Sequence, residues 1–530
     1  MKVPLEPESL PSVAVSAAPL AAFEGDLLVL GVTEEDFATE GEVTAIKTPA
    51  LQEIDASLGG VLSELVAAGG VDGKPGSQSR VVRLGGGSKV GARWVALVGL
   101  GKGAKLSAAS EWGASPFQGL GNAVATLAKA NRAVTAAVAL LGPWPETKAA
   151  AVSQIATGAL LGGYETTRFK SKKSPTASKL GHLTILADLD AEAGAAAAAR
   201  GVSVARGNLM TRYLVEAPPN VCTPTHLADT AKLIADAAPD VYSLRVYEKA
   251  ECEEMKMGLF LGVAEASAEP LKFIHLKYSP PGGSASRKVA VVGKGLTFDS
   301  GGYNLKAGAG SMIEMMKFDM GGAGATLGAA RILADLKPAG VEAHFIIAAC
   351  ENMVAGEGLR PGDILTAASG KTVEVNNTDA EGRLTLADAM WFAQEKCGVT
   401  SVVDIATLTG ACMVALGMSI AGLMTPSEPM ASSLQAAAKA AGEKVWRLPL
   451  EAEYFDSLKS PIADMKNTGA RTGGAITAGL FLQQFVNEGV EWAHLDVAGP
   501  VWSEKANVPT GFGAALLAEW LIAQGAAPAK

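Results

Sequence analysis

The run Asn377-Thr378-Asp379-Ala380-Glu381-Gly382-Arg383-Leu384 places two carboxylates and a guanidinium at alternate positions. In an extended segment, positions i, i+2 and i+4 share one side. Asp379, Glu381 and Arg383 are therefore expected to converge. Two carboxylates on one side repel unless a positive charge lies between them. Arg383 could be that charge, and a divalent metal would be a stronger one. Gly382 is expected to let the backbone bend where the extended run ends. Beyond it, Leu384, Leu386, Ala389, Met390 and Ala393 have helical spacing, which predicts a helix over 385–396.

A second stretch lies upstream. It reads Val292-Gly293-Lys294-Gly295-Leu296-Thr297-Phe298-Asp299-Ser300-Gly301-Gly302, followed by Lys306 and then Asp319-Met320-Gly321-Gly322. The apolar run 289–292 predicts a buried strand, and the glycines predict an abrupt exit from it. Lys294 and Asp299 are thus expected just past the C-terminal end of a strand, where open α/β sheets bind ligands. An Asp or Lys in a glycine-rich loop is usually a solvated turn residue. Here three Asp, one Glu, two Lys and one Arg all fall at strand ends or loop exits in otherwise apolar sequence. A partly buried cluster of carboxylates needs cations. Two divalent ions sharing them would fit.

Both stretches resemble signatures of the leucine aminopeptidase (cytosol aminopeptidase) family, NTDAEGRL and VGKGxTFDSGG. The eight residues from Asn377 match unchanged, as does the order Lys294, Asp299, Lys306, Asp319. The resemblance runs from about Val204 to the C-terminus and takes in Pro218-Pro219-Asn220 and Thr407-Leu408-Thr409-Gly410-Ala411. Twelve residues separate Lys306 from Asp319, two more than in animal and bacterial members. That spacing is similar to the plant-type branch.

The resemblance implies a two-metal hydrolase that releases N-terminal residues from peptides. The tighter ion would be held by Lys294, Asp299, Asp319 and Glu381. The more exchangeable ion would be held by Asp299, Asp379 and Glu381, with a backbone oxygen of Asp379. The implied nucleophile is a water bridging the two metals. Lys294 would ligate as neutral amine, so its pKa must fall from the ordinary value of about 10.4. Lys306 would remain ammonium and stabilise the oxyanion. Arg383 would hold a bicarbonate that shuttles the proton. Met316, Thr407 and Gly410 match positions lining an apolar pocket for the first side chain, which suggests Leu or Met there. Met316 on its own reads as a core residue. The family also implies a homo-hexamer of two stacked trimers.

The histidines give no competing metal motif. His182, His226, His275, His344 and His494 include no HExxH. His275, His344 and His494 fall in strand-like runs and read as satisfied strand residues. The acidic site that is left suits zinc, manganese or magnesium. Two other functions stay open on the residues: a non-catalytic binding, chaperone or DNA-binding member, and a different two-metal hydrolase such as a phosphatase. A phosphatase would want more Arg or His aimed at phosphate.

The elements that must position these residues read as α/β. A chain of 530 residues is too long for one ordinary core. Strands are predicted over 26–32, 80–84, 94–99, 133–141 and 183–187, with helices over 108–130 and 147–164. Gly99-Leu100-Gly101-Lys102-Gly103 follows a strand but completes no phosphate-loop motif. Lys170-Ser171-Lys172-Lys173-Ser174-Pro175 reads as a basic surface loop. Residues 191–216 have high helix propensity and are expected to connect two domains. The expected organisation is a flexible lead-in over 1–24, a smaller N-terminal α/β domain over 25–190, the connecting helix, and a larger α/β catalytic domain over 217–530. The resemblance implies a macro-like fold for the smaller domain. Strands over 271–278, 289–292, 341–350, 373–376, 401–407 and 492–497, with helices over 322–336, 386–396 and 514–523, predict a mostly parallel or mixed sheet covered by helices.

The net charge of −9 argues against nucleic acid as a main partner. No stretch reaches 18 consecutive apolar residues, so no membrane span is expected. Cys222, Cys252, Cys350, Cys397 and Cys412 are odd in number and widely spaced, which reads as free thiols in a reducing compartment. The first twenty residues contain no Arg and read as neither a secretory signal nor an Arg-rich transit peptide. The expected location is intracellular, in cytoplasm or plastid stroma.

Overall fold

The apolar run at Val289 belongs to one long strand, Ala285–Asp299, inside an eight-stranded sheet. The computed structural model describes residues 10–40, 43–106, 112–140, 148–172, 178–308 and 310–526. The strand order is Val445–Arg447, Ala421–Met424, Glu491–Asp496, Ser401–Ala406, Ala285–Asp299, Gly340–Asn352, Lys272–Tyr278 and Tyr242–Tyr247. The four strands from Glu491–Asp496 to Gly340–Asn352 are mutually parallel. Lys272–Tyr278 runs antiparallel to both its neighbours, and Ala421–Met424 antiparallel to Glu491–Asp496. The expected mixed sheet is present.

The glycines at 293 and 295 do not end the strand. It continues to Asp299, so Lys294 lies within the strand and Asp299 at its last position. A Cβ at Gly293 would come 2.5 Å from Thr326 Oγ1 and 2.9 Å from Ala323 Cα, both on the helix Gly321–Leu336. A Cβ at Gly322 would overlap the Ile405 carbonyl and lie 2.8 Å from Lys294 N. These glycines bring a helix unusually close to the sheet. On the opposite face, Ala290, Val292, Leu296, Ile346 and Ala348 pack with Leu384, Met390 and Phe392 of the helix Gly382–Glu395 and with Phe481. Strand alternation sends Lys294 to this second face, in line with Val292 and Leu296.

Several expectations need correction. Residues 373–376 do not join the main sheet. Thr372–Glu374 pairs instead with Ile364–Thr366 and Met465–Lys466 in a small three-stranded sheet. Tyr242–Tyr247, Ala421–Met424 and Val445–Arg447 were not expected as strands. The last two have four and three residues, too few for a periodic signal.

The chain divides into two compact units, 6–205 and 206–530, and the division falls inside the helix Ala191–Glu216. The first unit holds a six-stranded sheet, ordered Ser12–Ser16, His182–Leu186, Thr135–Leu140, Glu24–Val32, Gly91–Gly99 and Val82–Arg83. All its pairings are parallel except the last. The flexible lead-in is corrected for its described residues: Ser12–Ser16 is paired along its whole length with His182–Leu186. The helix expected from residue 108 starts at Pro116, capped by Ser115, whose hydroxyl accepts the Gln118 N–H. Proline at the first turn suits a start there. Residues 1–9, 108–111, 141, 147 and 173–175 of the expected segments lie outside the described residues. Among those described, no helix is long and apolar enough to cross a membrane.

Close packing at Gly322 has a testable cost. Gly322→Ala is expected to lower stability by about 1–3 kcal/mol or more, because the obstructing atoms are backbone. Gly119→Ala, where a Cβ meets nothing within 4 Å, is expected to be neutral or stabilising. Urea midpoints of the two variants check this. Equal midpoints would contradict the packing account.

Candidate metal centre

Asp299 closes the long strand, and the chain turns sharply after it. Gly301 and Gly302 have φ of +87° and +59°, the region that favours glycine. The turn aims the Gly301 N–H at Asp299 Oδ1, 2.9 Å away, and Asn352 Nδ2 donates to the same oxygen at 2.8 Å. Lys306 N donates to Ser300 O at 2.9 Å, which closes the loop. The Lys306 ammonium then lies 2.9 Å from Asp299 Oδ2 and 2.5 Å from Asp379 Oδ1.

The second half of the site forms around Lys294. Its Nζ lies 2.7 Å from Asp319 Oδ1 and 2.9 Å from Glu381 Oε1, and donates to Thr407 O at 3.1 Å. Asp319 follows the short helical turn Ile313–Phe318, and its N–H donates to the Met316 carbonyl at 3.2 Å. Thr407 Oγ1 donates to Asp319 Oδ1 at 2.8 Å. A Cβ at Gly382 would overlap the Lys294 side chain at Cε and sit 2.7 Å from Nζ. Gly382 is thus there to admit the lysine, and its expected bending role is replaced by this one.

Asp299, Asp319 and Glu381 are all buried, and one ligand oxygen from each lies within 4.8 Å of the others. With Asp379 there are four carboxylates in contact with two ammonium groups. Burial, and then the charge of neighbouring Asp299, raises the pKa of Glu381 and of Asp379. Burial likewise raises Asp319, against the pull of Lys294. Burial works to lower both lysines, but the surrounding carboxylates outweigh it and hold both well above the ordinary range. Lys294 is thus a principal counter-charge to Asp319 and Glu381. Asp319 Oδ2 and Glu381 Oε2 are buried with no hydrogen-bond partner. Orphaned carboxylate oxygens in a buried acidic cluster are what a hard or borderline cation would satisfy. The donor set fits divalent metal.

Arg383 does not converge with Asp379 and Glu381. The segment is not extended: Thr378 and Asp379 form a turn, Glu381 caps a helix, and that helix begins at Gly382. Among the described residues no carboxylate lies within 4 Å of the Arg383 guanidinium. It is buried, its Nη1 donates to Asn467 O at 2.7 Å, and its Nε has no partner. Burial pushes it down to about 10 against the charges of Glu381 and Asp496. Thr407 contributes to the site through Asp319 and Lys294. Gly410 is exposed at the start of the helix Gly410–Leu416, and a Cβ there would meet nothing within 4 Å. Met316 is half-buried, one turn before Asp319.

Two positioning residues were not anticipated. Asn352 holds both Asp299 Oδ1 and the Thr378 carbonyl. Asn467, fully buried, accepts the N–H groups of Asn376 and Asn377 and donates to the carbonyls of Asn377 and Ala380. Neither has a local sequence signal, since their partners are 26 to 91 residues away.

The model of the cytosol aminopeptidase family's catalytic domain matches residues 209–518, and that of its N-terminal domain matches 29–173. The chain is 51% identical over 515 residues to the neutral chloroplastic leucine aminopeptidase of Solanum lycopersicum, covering 96% of this chain and 87% of the relative. The chain belongs to the cytosol aminopeptidase family. It is also 49% identical over 501 residues to leucine aminopeptidase 1 of Arabidopsis thaliana, covering 94% and 93% of the two chains. Among solved structures, that of a point mutant of tomato leucine aminopeptidase superposes with a TM-score of 0.88 at 44% identity, covering 98% of each chain. These family members therefore share its two-domain α/β architecture.

Asn467 clamps the loop that carries Asp379 and leads into Glu381. Asn467→Ala leaves four backbone groups of that loop to find new partners. We expect a loss of about 2–4 kcal/mol in stability, since unsatisfied buried groups cost about 1–3 kcal/mol each and water recovers some. Chemical denaturation measures it, and a loss under about 0.5 kcal/mol would remove Asn467 from this role.

Proposed function

We propose that this family member is a metal-dependent aminopeptidase that releases N-terminal residues, preferably Leu or other apolar ones, from peptides. The observation that carries the reading is the buried convergence of Asp299, Asp319 and Glu381, with two orphaned carboxylate oxygens beside two lysines. In this reading Lys294, Asp299, Asp319 and Glu381 hold the tighter ion. Asp299, Asp379 with its backbone oxygen, and Glu381 hold the more exchangeable one. The ions are zinc, manganese or magnesium. When bound, they supply Lewis-acid polarisation of the scissile carbonyl and lower the pKa of the attacking water.

The chain's own residues supply the rest. With a dication held in the cluster, Lys294 would no longer be needed as counter-charge and would ligate as neutral amine, its proton lost to solvent. Lys306 keeps its ammonium and faces the developing oxyanion. Asp299 stays oriented by Asn352 and the Gly301 N–H. Arg383, with its unpartnered buried Nε, is suited to hold a small anion, and we assign it bicarbonate as the proton carrier. Met316, Thr407 and Gly410 line the pocket for the first side chain. A metal-dependent dipeptide assay beside a phosphate-ester assay tests the class: ester turnover without peptide turnover would overturn it.

The protein acts as a homo-hexamer in this reading. Large apolar side chains exposed on the second unit support assembly, among them Val414, Trp446 and Ile462. Leucine aminopeptidases named chloroplastic support a plastid location. Sedimentation of the active enzyme should give six times the 54.0 kDa chain mass. A monomeric mass under active conditions rules the hexamer out.

The two lysines have different jobs here, and variants separate them. Lys294→Met removes a ligand, so the tighter metal should bind more weakly and excess metal should restore part of the activity. Lys306→Met should keep two metals per subunit while turnover falls about 100- to 1,000-fold, as for loss of one oxyanion donor. Added metal should not rescue it. Metal stoichiometry and dipeptide turnover across a metal titration decide. Metal loss from Lys306→Met, or wild-type affinity in Lys294→Met, contradicts the assignment.

A further inference from the structure

We propose that His275, His344 and Cys397 form a further metal site, separate from the acidic centre, that takes one zinc-class ion. Three elements meet there. His275 lies on Lys272–Tyr278, His344 on the neighbouring Gly340–Asn352, and Cys397 just beyond the helix Gly382–Glu395. One ligand atom from each lies within 4.8 Å of the others. His275 Nε2 and His344 Nδ1 are 2.8 Å apart, and Cys397 Sγ is 3.6 Å from His275 Nε2. Tetrahedral zinc with bonds of about 2.0–2.1 Å to nitrogen and 2.3 Å to sulfur has N–N edges of about 3.3 Å and N–S edges of about 3.5 Å. The sulfur is already at that distance, and the imidazole pair needs to open by about half an ångström.

The surroundings are those of an oriented ligand. His344 Nε2 lies 3.1 Å from Glu342 Oε1, and Glu342 is in turn held by Lys277 at 2.9 Å. A carboxylate on the remote nitrogen fixes the tautomer and leaves Nδ1 as the lone-pair donor, the usual outer partner of a metal-bound histidine. Burial lowers His275 to about 4 and lowers His344 as well, so both rings are neutral. The proton that His275 Nε2 shares with His344 Nδ1 would move to His275 Nδ1 as the metal takes its place. The Cys397 thiol, pushed up to about 12 by burial, gives its proton to solvent when the metal–sulfur bond forms. His275 and Cys397 are half-buried, which leaves an entry path and room for a fourth ligand from solvent. Two imidazoles and a thiolate select zinc over magnesium or manganese, opposite to the all-oxygen-and-amine acidic centre.

The test uses full-length protein and Co2+ as the probe. Thiolate–cobalt charge-transfer absorption reports a cysteine ligand, and the acidic centre contains none. Titration of Mn2+-loaded enzyme should produce that band with one further equivalent of Co2+. Cys397→Ser should abolish it and leave dipeptide turnover unchanged. Glu342→Gln should weaken Co2+ binding by about 10- to 100-fold, as for loss of an outer-shell partner. In wild type, Zn2+ should protect Cys397 from alkylation, identified by peptide mass, which decides the matter if a variant does not fold. No thiolate band in wild type, a band that survives Cys397→Ser, or alkylation of Cys397 at the same rate with and without Zn2+ would each overturn the site.

Discussion

Asp299, Asp319 and Glu381 are each at most 3% exposed, yet oxygens from all three lie within 4.8 Å of one another. Burying one uncompensated carboxylate costs several kcal/mol, and crowding three raises the cost through mutual repulsion. The fold meets it with two lysines, a threonine hydroxyl, an asparagine and a backbone N–H. These donors come from strand ends and turns that are far apart in sequence. The parallel centre of the sheet brings them together, because parallel strands deliver their C-terminal ends to one edge. Asp299, Asn352 and Thr407 all lie at or just past such ends. Even so, Asp319 Oδ2 and Glu381 Oε2 are left without partners. The residual negative charge is what ties the fold to a cation.

Small residues make this crowding sterically feasible. Lys294 reaches its carboxylates from inside a strand, so helices on both faces must come close without covering it. Gly293 and Gly322 face each other across one layer, and Gly382 lies against the lysine stem on the other. The abundance of glycine in these motifs therefore reflects atom-to-atom contact more than loop flexibility. Within these motifs, the backbone itself demands glycine at Gly301 and Gly302.

Much of this was legible in the sequence for a physical reason. Apolar, β-branched runs such as 341–350 and 401–407 favour buried strands at that length, and the chemistry-bearing residues cluster in two contiguous stretches. The reading failed where local pattern and tertiary geometry part company. Alternate spacing suggested that Asp379, Glu381 and Arg383 share a strand face, yet the helix starting at Gly382 swings Arg383 toward Asn467 instead. Glycine after a strand suggested an exit, when its function was helix approach. Asn352 and Asn467 were invisible because an asparagine's worth lies in partners remote in sequence. The pairing of His275 with His344 was half visible: strand-like surroundings implied satisfied side chains, but not that they satisfy each other.

The helix Gly382–Glu395 joins the two chemistries. Its N-terminal end, with Glu381 at the cap, carries a partial positive charge beside the acidic cluster. That end favours carboxylates, so it lowers the cost of keeping Glu381 ionised against its burial. The C-terminal end, where Cys397 follows, carries the opposite partial charge. A bare thiolate is disfavoured there, in addition to the burial that raises the pKa of Cys397. A thiolate bound to a dication is different, because the pair carries net positive charge, and a cation at a helix C-terminus is stabilised by about 0.3–1 kcal/mol. One helix dipole thus favours bare carboxylates at one end and only a metal-bound sulfur at the other. The proposed site would differ from the acidic cluster in donor type and in charge: the carboxylates already face lysines, whereas the thiolate would form only with an ion.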